Sequence, residues 1–186
     1  MNKLVLLTVA VALFATISAT GQSKLMSSKS NIRFFSATPA ENIEANNSTS
    51  VSTLNKETGD VVFSVPMQGF EFEKALMQKH FNGEDFLNTK EFPKAKLTGK
   101  IINIDKVDFS KDGTYDAHVQ GELTIKGVTK PVHEIGTITM KGGKVETLSK
   151  FNITLADYGI IFVKGKPSSN IAKTVEVTIQ AEYAGE

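Results

Sequence analysis

The chain has 186 residues, contains no cysteine and carries a formal net charge of +1 at neutral pH. Its evenly mixed basic and acidic residues exclude the basic surface that nucleic-acid binding requires, and they leave no polybasic patch for a membrane. The lack of cysteine excludes disulfides, thiolate metal sites, a thiol nucleophile and a lipid attached to a lipobox cysteine after a signal peptide.

Residues 1–21 have the pattern of a secretory signal peptide. Lys3 supplies a positive charge, and residues 4–17 form an apolar stretch without any charge. This stretch is too short to span a bilayer, and no later segment is apolar enough to do so. We predict cleavage before Gln22, with cleavage after Ala19 as the alternative. The mature product is then expected in the periplasm or outside the cell.

After the leader, the sequence alternates between apolar and polar residues, as β-strands do. Residues 22–29 are polar and predict a flexible lead-in, after which 31–37 predict a first strand. A second strand is predicted at 41–54, with one face toward water and a bend at 46–47. Residues 61–67 alternate strictly, which predicts a strand with one apolar face.

The stretch 66–95 breaks this alternation and holds five of the twelve phenylalanines. Phe72, Leu76 and His80 are four residues apart, which is the spacing along one face of a helix. We predict a helical insert at about 70–82, with two glutamates in its first turn, where the helix dipole favours acidic groups, and an Asn-Gly pair at its end. This insert is predicted to cover the mouth of a β-barrel. The alternative is a helix that packs outside a sheet and protects its edge.

Five further strands follow the insert. They are predicted at 96–107, 116–126, 132–140, 145–155 and 174–183. A turn is predicted at 127–131 between the second and the third of them. The apolar phase of the third shifts near Gly136, which predicts a bulge.

The number and length of the strands predict the fold class. About eight mostly antiparallel strands, several of them long, predict an all-β protein, an eight-stranded antiparallel barrel with one helical insert. Closure of a barrel also removes the exposed edges that promote aggregation. A two-sheet sandwich is the competing architecture, but it leaves no role for the Phe-rich insert.

The sequence contains no catalytic or metal-binding pattern. No two of His80, His118 and His133 have the spacing of a metal site, and no HExxH occurs. With the turn centred near 128–129, His118 is expected opposite Thr139, away from His133. No GxSxG motif and no phosphate-binding glycine loop is present. We therefore predict a protein that is not an enzyme, with no catalytic residue, no metal and no cofactor.

The remaining candidate for function is an apolar interior. If the barrel and the insert share one dry tunnel, its wall consists of large apolar side chains of the early strands and the insert, together with the in-phase residues of the later strands. These candidate ligand-binding residues are Phe34, Phe63, Val65, Met67, Phe72, Leu76, Met77, Phe81, Phe86 and Phe92. The alternative is that all of them pack a filled core. Methionine suits a tunnel for a flexible hydrocarbon because it adapts in shape.

The energy of apolar burial sets the size of a ligand. Burial of ~500 Å² of apolar ligand surface contributes about 12 kcal/mol before any cost is subtracted. Association costs on the order of 4–15 kcal/mol. Useful affinity therefore requires a long apolar chain.

Three stretches of the sequence carry a family resemblance. They are 88–100 (NTKEFPKAKLTGK), 121–132 (GELTIKGVTKPV) and 151–160 (FNITLADYGI). Together they resemble the YceI-like family of exported, polyisoprenoid-binding proteins, over about residues 30–183. The resemblance implies an extended lipocalin-like barrel whose internal channel holds an isoprenoid chain, such as a quinone tail or a polyprenol. The segment 66–80 departs from the family's pattern, so no head-group residue is assigned.

The resemblance also implies a function and a domain. It implies a single YceI-like β-barrel domain over 30–186 that carries or sequesters an isoprenoid or another long apolar chain. The expected partner is a hydrophobic small molecule, with no nucleic acid and no transmembrane segment in the mature chain. Some family members pair as dimers, which leaves a homodimer open here. The alternative function is a stress-related interaction module with a filled barrel and no ligand.

Overall fold

The computed structural model describes residues 23–161 and 170–184, so the predicted signal peptide lies outside the described residues. The described part of the chain forms ten β-strands and one α-helix. These elements are β1 (Lys24–Ala37), β2 (Asn42–Asn47), β3 (Val51–Asn55), β4 (Asp60–Pro66), β5 (Phe70–Phe72), α1 (Ala75–Asn82), β6 (Lys94–Ile101), β7 (Gly113–Ile125), β8 (Val128–Lys141), β9 (Lys144–Thr154) and β10 (Thr174–Tyr183). Within both ranges, no helix has the length and apolarity needed to cross a bilayer.

The strands close into one antiparallel barrel. Around the barrel the order is β1, β3, β4, β6, β7, β8, β9 and β10, and β10 pairs back with β1, with Ile32 opposite Ile179. Strand β2 pairs with the second half of β1, and β5 pairs with β2. These two short strands therefore continue the barrel wall beyond the ends of β3 and β4. The predicted eight-stranded antiparallel barrel with one helix is confirmed, and its closure pairs the first strand with the last.

The predicted bend in the strand 41–54 is confirmed by a break between β2 and β3. Asn47, the last residue of β2, is fully buried. Its amide nitrogen donates to the Pro66 carbonyl at 2.7 Å, and its amide oxygen accepts from the Thr49 N–H at 2.9 Å. A buried amide needs hydrogen-bond partners. These two bonds supply them, and they fix the segment between β2 and β3 beside the end of β4.

The prediction of a flexible lead-in at 22–29 is wrong from Lys24 onward. Residues 24–26 pair with β3, and Ser27 and Lys29 pair with β10. Polar side chains do not prevent strand formation here, because the two neighbouring strands satisfy the backbone hydrogen bonds. Leu25 adds a buried apolar side chain to this part of β1.

The helical insert is shorter than the predicted 70–82. Helix α1 begins at Ala75, because Phe70–Phe72 forms β5 and pairs with Ala45–Asn47. The first turn of the helix therefore contains no acidic residue, and Gly83 after its end is extended, with φ of −67°, instead of left-handed. Pairing with β2 buries Phe70 in the core, and this tertiary gain outweighs the local helical spacing.

The turn between β7 and β8 is tighter than the predicted 127–131. It consists of Lys126 and Gly127, whose φ values of 49° and 75° are typical of a two-residue hairpin turn. His118 consequently lies opposite Ile135 and not opposite Thr139. The strand predicted at 96–107 likewise ends earlier, at Ile101, where a short 3₁₀ turn follows.

The bulge predicted at Gly136 is absent from the β7–β8 ladder. The pairing runs without a shift from Gly113 opposite Met140 to Ile125 opposite Val128. The apolar pattern of β8 is irregular for another reason. Glu134 occupies an inward position on this strand, while the next residue, Ile135, points outward and is 65% exposed.

Candidate ligand-binding site

A cavity of about 830 Å³ lies inside the barrel, at the end where α1 packs. Eight strands contribute side chains to its wall, and α1, the loop after it and the segments that flank the strands contribute the rest. Some of the in-phase residues of the later strands face it, as predicted. These are Leu123, Ile125, Phe151, Ile153, Val175, Val177 and Ile179. The strand alternation and the insert therefore supply one common apolar wall.

Nine of the ten predicted site residues line this cavity. They are Phe34, Phe63, Val65, Met67, Phe72, Leu76, Met77, Phe81 and Phe86. Phe92 lies outside it, half-buried against the β7–β8 turn, where a Cβ on Gly127 would come within 2.8 Å of its ring. That the nine residues bind a ligand stays a prediction.

An aromatic cluster attaches α1 to the barrel. The ring of Phe81, on α1, contacts Phe34 at 5.8 Å between centroids, Phe70 at 5.3 Å and Phe72 at 5.0 Å. Phe86, in the loop after the helix, lies 6.1 Å away. Each such pair contributes about 0.5–1.5 kcal/mol beyond the burial of its area. A helix of this length is marginal alone, so the cluster determines its position.

The prediction did not include Phe70 and Ile43, which also line the cavity. The helical spacing predicts Phe70 at the start of the helix, although its alternation with Phe72 indicates a strand. Ile43 lies in β2, whose many polar residues suggested a strand that mostly faces water. Its alternation with Ala45 was the signal for an inward face.

Charged side chains surround the outer end of the cavity, and we call this set the rim. It consists of Glu41, Lys74, Lys79, His80, Glu84 and Asp85. Lys74 donates a hydrogen bond of 2.8 Å to Glu41, and this bond raises the pKa of Lys74. The pair joins the start of α1 to the loop between β1 and β2. The rim carries both signs of charge, so it does not select an anionic or a cationic ligand by itself.

A metal site is not found among residues 23–161 and 170–184. No three His, Asp or Glu side chains in these ranges lie close enough to hold an ion. His118 and His133 are both exposed on the outer face of the β7–β8 hairpin. The chemistry available at the cavity is therefore apolar contact, with charges at its outer end.

Comparison with known proteins identifies the family. A model described as a YceI-like domain matches residues 18–183. The chain belongs to the YceI-like family. The family match covers both the barrel and the insert, so the cavity lies entirely within the YceI-like domain.

Relatives in the YceI-like family are similar over part of their length. A UPF0312 protein of Shewanella denitrificans is 29% identical over 119 residues, which cover 61% of this chain and 59% of that protein. The protein YceI of Escherichia coli is 43% identical over 58 residues, which cover 31% of this chain and 26% of that protein. The matched region thus spans less than two thirds of each of these curated relatives.

Solved structures share the YceI-like fold. BcnA of Burkholderia cenocepacia superposes with a TM-score of 0.69 and 16% identity, over 82% of this chain and 95% of that chain. A polyisoprenoid binding domain from Saccharophagus degradans, implicated in plant cell wall breakdown, superposes with a TM-score of 0.71 and 11% identity, over 88% of this chain and 99% of that chain. At these identities the likeness establishes the fold alone.

Proposed function

We propose that this protein holds an isoprenoid or another long apolar chain, such as a quinone tail or a polyprenol, inside its barrel, for carriage or sequestration. The observation that carries the proposal is the cavity of about 830 Å³. Protein cores are normally packed without voids larger than a water molecule. A stress-related interaction module with a filled barrel would leave no such volume, so the cavity favours the binding role.

The wall chemistry supports a hydrocarbon chain as the occupant. Inward residues such as Val65, Phe151 and Val177 offer only apolar contact to the interior. Ligand pockets of 300–1,000 Å³ with mainly apolar walls are typical of small-molecule sites. The Saccharophagus degradans domain is described as polyisoprenoid binding, which makes isoprenoids the first class to test.

The proposal places the protein among binding proteins and not among enzymes. We propose that its partner is a hydrophobic small molecule, that it needs no resident metal or other cofactor, and that residues 1–21 direct its export to the periplasm. Intact mass measurement of the protein from a periplasmic extract tests the last point. A mass that still includes residues 1–21 contradicts it.

The decisive experiment measures lipid uptake by the mature protein. Solvent extraction and native mass spectrometry of the purified protein are expected to find a co-purified hydrophobic molecule, or a one-to-one complex after incubation with a long-chain isoprenoid quinone. Val65→Phe, which fills the cavity, is expected to reduce uptake. Val62→Phe is the matched control, because Val62 belongs to the outward phase of the same strand. No bound molecule and no uptake by the wild-type protein contradict the proposal.

A further inference from the structure

A second, smaller cavity of about 60 Å³ lies beyond the first, toward the other end of the barrel. Along β4, Val65 lines only the large cavity, Phe63 lines both, and Val61 lines only the small one. At ~3.3 Å per residue, the distance along the strand from Val61 to Val65 is about 13 Å. The two cavities therefore lie end to end inside the barrel.

One layer of side chains separates the two cavities. Five strands each contribute a residue to it. They are Phe63, Leu97, Leu123, Phe151 and Ile179. Leu97 and Phe151 in this layer are only half-buried. A ligand that occupies both cavities has to displace side chains of this layer.

Glu134 brings a charge into the wall of the small cavity. It lies between Val132 and Gly136 on the inward face of β8, where the alternation calls for an apolar residue. Among the described residues, no hydrogen bond or ion pair of its carboxylate is found. Burial raises its pKa, and the charge of His133 offsets this in part.

Several other polar side chains in or next to the small cavity are already paired. The hydroxyls of Ser52 and Tyr183 form a buried hydrogen bond of 2.8 Å. The Thr147 hydroxyl donates to a carbonyl of β10, and the Ser149 hydroxyl donates to the Ile135 carbonyl at 3.2 Å. A carboxylate removed from water needs donors to compensate for its desolvation. Among the described residues of this wall, Glu134 is the one carboxylate, and it has no such donor.

Partial contact with water explains why the fold tolerates Glu134 without such a partner. The β8–β9 ladder ends at Gly136 opposite Ser149, so the first half of β8 is not paired with β9. A 3₁₀ turn, Leu155–Tyr158, packs against β8 there instead of a strand. Glu134 lies at the edge of this gap and is half-buried. A ligand that displaces water from it has to replace the lost hydrogen bonds.

We infer that the small cavity is a subsite for a hydrogen-bond donor, a hydroxyl or a protonated amine, at the inner end of a long apolar ligand, and that Glu134 accepts its hydrogen bond. The inference rests on the proposed function and adds the orientation of the ligand. Its donor group lies in the small cavity, and the rest of its hydrocarbon chain extends toward α1. About 60 Å³ accommodates only a few heavy atoms, which matches a terminal group. One carboxylate is too few ligands for a metal ion.

The test compares two probes that have the same hydrocarbon chain. Geranylgeraniol has a terminal hydroxyl, and its methyl ether has no donor. The mature wild-type protein is expected to bind the alcohol about tenfold more tightly than the ether, which corresponds to ~1.4 kcal/mol. Glu134→Leu is expected to remove this preference and to bind the ether as tightly as the wild type does. Glu134→Gln, which keeps the shape and one acceptor, is expected to retain a reduced preference.

The control and the opposing outcomes separate this inference from the proposed function. Glu122→Leu removes an exposed carboxylate on the outer face of β7 and is expected to leave the preference unchanged. Geranylgeranylamine distinguishes the donors, since a stronger preference for it than for the alcohol assigns the subsite to a cation. Equal binding of alcohol and ether by the wild type, or a preference that survives in Glu134→Leu, overturns the inference while lipid binding stands. If no probe binds, the proposed function fails and the inference fails with it.

Discussion

The rings of Phe34 and Phe81 lie nearly parallel, with an interplanar angle of 7° and centroids 5.8 Å apart. Phe34 belongs to β1 and Phe81 to α1, so this contact joins the barrel to the helix over its mouth. Phe70 and Phe72 complete the group with edge-on and tilted contacts to Phe81. The outer end of the cavity therefore depends on aromatic packing, because the short helix has no side-chain cap to stabilise it.

Truncation of Phe81 tests this dependence. Phe81→Ala removes a buried ring from the centre of the cluster and is expected to lower the free energy of unfolding by about 3–5 kcal/mol. Leu76→Ala, on the same helix, is the control, because Leu76 is 63% exposed, and its expected effect is below about 1 kcal/mol. Urea denaturation followed by circular dichroism measures both values. Similar losses for the two variants would contradict the central role of the cluster.

A charge on the helix face toward the cavity is expected to impair binding. Met77 lines the cavity and is half-buried, so Met77→Asp places a carboxylate against the proposed apolar chain. Desolvation of that carboxylate is expected to weaken quinone uptake by roughly tenfold or more. The neighbouring Gln78 does not line the cavity, and Gln78→Asp serves as the control for charge alone. Unchanged uptake by Met77→Asp would remove Met77 from the binding wall.

The buried hydrogen bond between Ser52 and Tyr183 is expected to stabilise the end of the barrel away from α1. Tyr183→Phe leaves the Ser52 hydroxyl without this partner and is expected to cost about 1–3 kcal/mol. Tyr115→Phe is the control, since the Tyr115 hydroxyl donates to the Lys111 carbonyl at an exposed position. The double variant Ser52→Ala with Tyr183→Phe is expected to lose less than the sum of the single losses. Full additivity in denaturant titrations would show that the two hydroxyls do not interact.

The carboxylate of Glu134 predicts a pH-dependent stability difference. Burial holds its pKa above the ordinary value of 4.5, with His133 opposing the shift. The ionised form is thus less favourable in the folded than in the unfolded chain. Its cost is absent below the ordinary pKa and grows as the pH rises through the raised pKa.

Thermal unfolding of Glu134→Gln measures this difference. The variant is expected to melt at a higher temperature than the wild type at about pH 8 and at the same temperature at about pH 4. Burial, with the charges of Asp157 and Glu134, holds the pKa of Tyr158 above its ordinary value of 10.0, so this side chain is neutral at both pH values. Glu122→Gln, at an exposed position, is expected to show no such trend. A difference of equal size at both pH values would indicate a packing effect instead of the titration.

Much of the barrel could be predicted from local pattern because a strand with one buried face alternates with period two. The alternation of Val61, Phe63 and Val65 predicts inward side chains, and all three are buried toward the interior. The same reasoning located the walls on β7, β9 and β10. It missed Ile43, whose strand is rich in polar residues, because burial there depends on the neighbouring strands and not on composition.

Some positions of the residues in the cavity wall could be predicted from the sequence, and others could not. Spacing placed Leu76, Met77 and Phe81 on a helix, and they face the cavity. Phe92 was included because it belongs to the same aromatic stretch, yet it packs against the β7–β8 turn. Periodicity states which side of an element a residue occupies, but it does not state where the element ends.

Alternation and turn residues act over a few positions, and they were enough to predict the class of the fold, the apolar character of its interior and the resemblance to the YceI-like family. Three features became visible only in the folded chain: Phe70–Phe72 pairs as a strand, β1 starts at Lys24, and Glu134 faces inward at a gap between β8 and β9. These features depend on backbone pairing between segments far apart in the chain. Such pairing can override local preference wherever it satisfies more hydrogen bonds or buries more apolar surface.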